Sequence, residues 1–232
     1  MKLKIIVIGL GNFGLSLTKY LADMGHEVIA VDKRMHKVEM VKDKVTHAIS
    51  MDTTDINAVK ALPVADADYV VVTIGEEEGA SILTTALMKE MGVKNLISRA
   101  ISPLEETVLK AMGVKEIIHP EDDSALRLAK RLSMKGVVDS FELDNNHNII
   151  EVMVPHQFIG RRLADLKLRN LYDILVLTIL KRKKIKNILG VVRETRESCG
   201  VASADSILEN GDILVIFGNV KDIGRMMNDV KD

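Results

Sequence analysis

The chain has no tryptophan, one cysteine, and aromatic residues at only 3% of its positions. A single thiol excludes an internal disulfide and suits a reducing compartment. Cys199 by itself reads as a small, semi-buried hydrophobe rather than a catalytic thiol. Scarce aromatics leave no row of stacking platforms for single-stranded nucleic acid. A net charge of −1 supplies no basic field for a phosphate backbone, so no nucleic-acid partner is expected. No apolar run reaches the roughly 18 residues a membrane span needs. The first apolar strand starts at Lys4, which leaves no room for a cleaved signal, and a cytoplasmic protein is expected. Histidine and cysteine nowhere recur at metal-ligand spacing. No P-loop lysine motif is present, so ATP hydrolysis of that kind is not indicated. There is no low-complexity segment, and the two halves do not repeat each other.

Against these absences stands an apolar content of 47%, enough for a real core in a chain of 232 residues and one or two domains. The stretch Lys4-Ile5-Ile6-Val7-Ile8 runs into Gly9-Leu10-Gly11-Asn12-Phe13-Gly14. A helical pattern follows, with Phe13, Leu17, Tyr20, Leu21 and Met24 at spacings of three and four. A second strand, Glu27 to Val31, ends at Asp32. Strand, glycine turn, helix, strand and acid together make the dinucleotide-type fingerprint in the context it requires. Gly9 makes the turn, Gly11 admits a phosphate to the backbone, and Gly14 lets helix and strand pack closely. The helix N-terminus offers free N–H groups and a partial positive charge. Asp32 is a ribose ligand by position, with a turn or capping acid as its other reading.

Strands and helices keep alternating. Strands are expected at Thr46–Ser50, Tyr69–Ile74, Asn95–Arg99 and Glu116–His119, with helices at Met35–Val41, Asp55–Leu62, Glu76–Met91 and Pro103–Gly113. This is a Rossmann-like, doubly wound parallel sheet. A further helix, Asp122 to Met134, is broken by Gly136. The pattern then changes to half-buried strands at Phe141–Leu143 and Ile149–Val154, a short helix at Leu163–Leu166, strands at Ile174–Leu180 and Ile213–Phe217, and a last helix at Val220–Val230. Ile223, Met226 and Met227 share one face of that helix and read as packing on their own domain. The expected organisation is a nucleotide-binding domain at 1–120, a crossover helix and hinge at 121–140, and a small α+β domain at 141–232. The basic run Lys181 to Lys186 reads as a solvated hairpin tip.

These motifs together resemble a known family. Gly9 to Gly14, Gly25-His26-Glu27-Val28, Ala30-Val31-Asp32, Thr46-His47-Ala48 and Ile118-His119-Pro120-Glu121 are similar to signatures of the RCK (or KTN) domain of cytosolic regulators of potassium transport. Phe158 to Leu166 and Asn210 to Gly218 resemble the start and close of the TrkA-C module that follows it. The likeness covers nearly the whole chain and is nearest to the regulatory subunit of Ktr-type uptake systems. The duplicated Trk regulator is about twice as long. The resemblance implies a switch and not a catalyst. It implies homodimers assembled into an octameric ring beneath a membrane potassium-translocating subunit, at the inner face of the membrane. ATP would favour the active ring and ADP an inactive one.

The resemblance carries roles onto particular residues. Gly9, Gly11 and Gly14, with Asn12 and Phe13 between them, match the phosphate turn, and Asp32 with Lys33 the ribose end. Met51, Asp52 and Thr53 fall where the family contacts adenine, although Asp52 reads equally as a helix cap. Ile74 and Gly75 flank the nucleotide, and Arg99 supplies a cation near the phosphates or forms a surface ion pair. Glu121 matches a carboxylate that helps hold a divalent cation at the dimer interface; its other reading is ordinary helix N-terminal charge. Cyclic di-AMP binds between C-terminal modules in several relatives, with Arg161, Arg162, Arg169 and Ile174 as candidate lining residues here. One departure stands out. Close Ktr regulators often have arginine where this chain has Asn12, and losing a charge-assisted contact costs about 1.5–3 kcal/mol. ATP-over-ADP discrimination is therefore open, and NAD(H) is an alternative ligand. The alternatives in function are an NAD(H)-dependent oxidoreductase, for which no proton-transfer residue is evident (His147 and His156 read as solvated), and a regulator of a different cation transporter.

Overall fold

The computed structural model describes residues 1–133, 136–186 and 192–230. The chain divides into two compact units, Met1–Asp123 and Ser124–Asp232. The first is built on six strands: β1 (Lys4–Ile8), β2 (Glu27–Asp32), β3 (His47–Ser50), β4 (Tyr69–Val72), β5 (Leu96–Arg99) and β6 (Glu116–Ile118). They lie in the order β3-β2-β1-β4-β5-β6, and all five pairings are parallel. Ile6, Ile8, Val70 and Val72 point to one layer of core and Ile5, Val7, Val28 and Val71 to another. A sheet covered on both faces has no use for polar alternation, so its central strands read as continuous apolar runs.

Helices α1 (Asn12–Asp23), α2 (Met35–Glu39), α3 (Ile56–Val59), α4 (Glu78–Glu90) and α5 (Pro103–Ala111) make the crossovers. Asp55 caps α3 by accepting from the Asn57 N–H at 2.8 Å, so the capping reading of Asp52 goes to its neighbour instead. The Ser102 hydroxyl accepts from the Glu105 N–H, and the Glu105 carboxylate accepts from the Ile101 N–H, which fixes the start of α5 behind Pro103. The turn between β1 and α1 is the tightest place in this unit. Gly9 has φ +97°, and a Cβ there would lie 2.9 Å from the Ile74 nitrogen. A Cβ on Gly14 would overlap the Gly9 carbonyl oxygen and the Thr73 hydroxyl, whereas one on Gly11 would meet nothing within 4 Å.

Helix α6 (Pro120–Ser133) follows β6 and buries none of its residues; the expected end at Met134 lies outside the described residues. The second unit carries β7 (Val137–Glu142), β8 (His147–Met153), β9 (Leu175–Lys186), β10 (Val192–Ser198) and β11 (Ile213–Asn219), in the order β10-β9-β11-β8-β7, all antiparallel. Short helices and α7 (Leu168–Tyr172) connect them, and α8 (Val220–Asp229) closes the chain. Ile150, Val152, Leu214 and Ile216 form the core with Ile223 and Met226 of α8. That last helix therefore packs on its own domain, as its apolar face suggests, and Asn219 caps it.

Three expectations are corrected here. The basic run does not form a hairpin tip: it is the second half of β9, paired with a strand β10 that shows no apolar alternation. Lys183 bonds to Glu197 across the pair, while Lys181 bonds to Glu209 and the Arg182 Nε donates to the Gly211 carbonyl in the turn before β11. Strand β7 starts at Val137, four positions before the expected start, because Val137 and Asp139 are drawn into the ladder with β8 through an irregular register. Cys199 is exposed rather than semi-buried.

Gly14→Ala is expected to destabilise the first unit by about 1–3 kcal/mol or more through overpacking, while Gly11→Ala leaves it within about 1 kcal/mol. Urea unfolding of both variants, followed by circular dichroism, checks the contrast. In the second unit Leu214 is wholly buried, and Leu214→Ala should cost about 2–5 kcal/mol, read as faster amide exchange in β8 and β11.

Candidate functional site

The strand order reverses direction between β1 and β4, and in an open parallel sheet that is where the carboxyl ends of the strands leave a crevice. A cavity of about 270 Å³ lies there. Its floor is the glycine turn. Helix α1 begins behind Gly11, which has no side chain to cap it, and its first turn holds no acidic residue. The positive end of the helix is therefore not neutralised from within its own first turn. Thr73, just past β4, braces the floor by donating its hydroxyl to the Gly9 carbonyl at 2.6 Å.

Asp32 forms one wall. It is only 6% exposed. Its Oδ2 accepts from the Leu10 N–H at 2.7 Å, and its Oδ1 accepts from the Arg34 N–H at 2.8 Å and from Arg34 Nε at 3.4 Å. Two carboxylate oxygens offer about four acceptor positions, so capacity for a ribose hydroxyl remains.

The neighbouring wall is a double clasp between the end of β2 and the start of α4. Arg34 reaches both oxygens of Glu76, at 2.7 and 3.3 Å, and the Lys33 ammonium bonds to Glu77 at 2.5 Å. Hydrogen bonding to Arg34 holds the Glu76 carboxyl below the usual carboxylate range, and the bond to Glu77 raises Lys33. Asp52 turns inward on its own loop and accepts from the Thr54 hydroxyl at 2.7 Å and the Thr54 N–H at 3.0 Å, which lowers its pKa. Thr53 is buried with its hydroxyl on that of Thr84.

On the far side, Arg99 ends β5 with its guanidinium packed against Gly75, where no Cβ fits. Its Nη2 and Nε donate to the two oxygens of Glu121 at 2.7 and 3.2 Å, and Nη1 donates to the Thr73 carbonyl at 3.4 Å. Both readings of Arg99 are thus present in one place, a cavity wall and an ion pair. Among the described residues no group of three or more His, Cys, Asp or Glu side chains gathers at metal-binding range.

Of the residues singled out in the sequence, Gly9, Gly11, Asn12, Phe13, Asp32, Lys33, Asp52, Thr53, Ile74, Gly75, Arg99 and Glu121 all line this cavity. Gly14 and Met51 do not: Gly14 packs behind the turn, and Met51 packs on the core under β1 and β4. Sequence reasoning missed Arg34, Lys37, Thr73, Glu76 and Glu77. The available signal was a pair of cations directly after Asp32 at the end of β2 and a run of acids in the loop that follows β4.

In the second unit a smaller cavity of about 210 Å³ is lined by Arg169 and Ile174 together with His147, Asp173, Phe217 and Asn219. Arg161 and Arg162 are not part of it. Arg161 donates to the Asp165 carbonyl, and Arg162 pairs with the carboxylates of Asp165 and Asp205. His147 stacks on Phe217 and bonds to Asp144 rather than standing free in solvent.

The TrkA-N domain family model matches residues 5–120. Ktr system potassium uptake protein C of Bacillus subtilis (strain 168) is 36% identical over 225 residues, covering 97% of this chain and 96% of that one. Ktr system potassium uptake protein A of the same organism is 34% identical, covering 96% and 95%. Among solved structures, the RCK domain of GsuK matches the whole of this chain with a TM-score of 0.65 at 14% identity. The GsuK channel bound to NAD matches with a TM-score of 0.62 at 14% identity. At that identity both show the fold alone, and the chain spans about half of the first GsuK chain, 48%, and 40% of the second. With the family model over its first unit and these relatives along nearly its full length, the chain belongs to the TrkA-N family of Ktr- and Trk-type potassium uptake proteins.

Proposed function

We propose that this chain is the nucleotide-responsive regulatory subunit of a potassium transporter. The observation that carries the reading is the crevice between β1 and β4. It combines a helix N-terminus whose own first turn carries no acidic residue, a buried acid at the ribose position and an arginine on the far wall, in a chain akin to Ktr potassium uptake proteins over nearly its whole length. The ligand is an adenine nucleotide, ADP or ATP, with NAD(H) as the further member of that class. A solved structure of GsuK, which shares this fold, holds NAD. The chain acts as a switch rather than a catalyst: binding energy that differs between two assembly shapes is what moves the membrane subunit.

The assembly proposed is a ring of homodimers, octameric as in the resemblance, at the inner face of the membrane. No helix among the described residues is long and apolar enough to cross a membrane, and the membrane-spanning partner is proposed from the likeness to Ktr potassium uptake proteins. Glu121 is proposed to meet its counterpart in a second copy and hold a divalent cation. Within one chain it offers a single carboxylate, already engaged by Arg99, so such a site needs both the second copy and the release of Arg99. In the second unit, Arg169 and Ile174 are proposed to contact cyclic di-AMP.

Purified protein should show a thermal shift with ADP, ATP or NAD, since a ligand at about 100 times its dissociation constant adds about 2.7 kcal/mol. Asp32→Asn, which keeps an acceptor for the Leu10 N–H but loses the charge, should diminish that shift. No shift with any of these nucleotides overturns the reading. Failure of the full chain to co-purify with the potassium-translocating membrane subunit of its own organism overturns the partner assignment.

A further inference from the structure

We infer that Arg99 and Glu121 form an exchange pair: a phosphate entering the crevice takes the arginine fork from Glu121 and so transmits occupancy to the first turn of α6. The inference rests on the nucleotide reading above and concerns how this chain senses the ligand.

The geometry sets up a competition. All three guanidinium nitrogens of Arg99 are engaged, two on Glu121 and one on the Thr73 carbonyl. A carboxylate and a phosphate both want the same flat, two-pronged face of the fork. That face is now given to Glu121, although both residues line the cavity that holds the glycine turn. A phosphate drawn to the α1 N-terminus therefore meets, in Arg99, a cation already in use, and pairing with it requires a partner to be exchanged.

The two partners are not equally fixed. Arg99 is the last residue of β5, its backbone is in register with Ile118 of β6, and its guanidinium is braced against Gly75; the side chain is 13% exposed. Glu121 is 59% exposed and sits in the first turn of α6 beside Asp122 and Asp123. Arg99 is thus the anchored member and Glu121 the one that leaves. An ion pair with one exposed member is weakly held, so a doubly charged phosphate displaces it at small cost. Glu121 then loses its one side-chain partner among the described residues, at the start of the helix within which the boundary between the two compact units falls. Ligand binding in the first unit reaches that helix by the loss of one ion pair.

The test is a cycle of four full-length proteins, wild type, Glu121→Gln, Arg99→Gln and the double variant, titrated calorimetrically with ADP and with adenosine. Removing the competing carboxylate should tighten ADP about three- to fivefold, the weight of an exposed ion pair, and leave adenosine unchanged. In the Arg99→Gln background the same Glu121→Gln change should have no effect on ADP. Arg99→Met, which keeps much of the apolar stem and loses the charge, replaces Arg99→Gln if the latter fails to fold. Two results overturn the exchange while leaving the nucleotide site standing: ADP affinity unchanged by Glu121→Gln, or tightened equally without Arg99, which would make Glu121 a general repulsive charge. Wild-type protein that binds neither ADP nor adenosine overturns the nucleotide reading and the exchange with it.

Discussion

The first unit depends on a carboxylate placed where water hardly reaches it. Asp32 stands at the end of β2, and its Oδ2 receives the N–H of Leu10 from the turn that follows β1. Burying an ionised acid is costly unless its oxygens are filled, and here three donors fill them. The bond ties the glycine turn to the carboxyl end of β2. Only because the turn is held there can Gly14 pass the Gly9 carbonyl at a distance that leaves no room for a Cβ, and only then does the Thr73 hydroxyl reach back to close the floor. The arrangement that stabilises the turn also leaves the α1 N-terminus facing the crevice. Stability and site are one construction.

That construction explains why the first unit was legible. Strands buried on both faces must read as apolar runs, turns of positive φ call for glycine, and a right-handed crossover rule leaves few ways to order the strands. Once Ile5 to Ile8, Val28 to Asp32 and Tyr69 to Val72 are recognised as parallel neighbours, the loops after them must meet at one end of the sheet. Residues far apart in sequence, such as Asn12, Asp52 and Arg99, then fall around one cavity. What pattern does not reveal is which charge answers which. Glu76 and Glu77 read locally as acids suited to the start of a helix, yet they are the partners of Arg34 and Lys33 across the switch point. Local rules price each residue against its own helix, whereas the pairing is decided by loops that only the tertiary fold brings together.

The second unit was legible where burial dictated the pattern and opaque where it did not. Strands β8 and β11 alternate buried and half-buried positions, and α8 carries a clean apolar face. Strand β10 has no apolar alternation at all, and the second half of β9 is a run of cations. Such segments form strands because backbone ladders and cross-strand charge pairs suffice at a sheet edge, where one face need not be dry. Charged edge strands also discourage pairing with foreign strands, so the feature that hides them from hydropathy has its own physical use.

The charge arrangement of the crevice bears on what kind of protein this is. Lys33, Arg34 and Arg99 are each bonded to a carboxylate, Glu77, Glu76 and Glu121 respectively. A site built only to hold an anion tightly would leave its cations waiting. A phosphate that pairs with one of these three cations takes it from the segment just before α4 or from the first turn of α6. On the proposed reading, part of the binding energy goes from affinity into rearrangement, since a ligand shifts a conformational equilibrium only to the extent that it binds one arrangement better than the other. Paired cations are a poor trap and a good sensor, because each broken pair converts the presence of a phosphate into a difference between two structures.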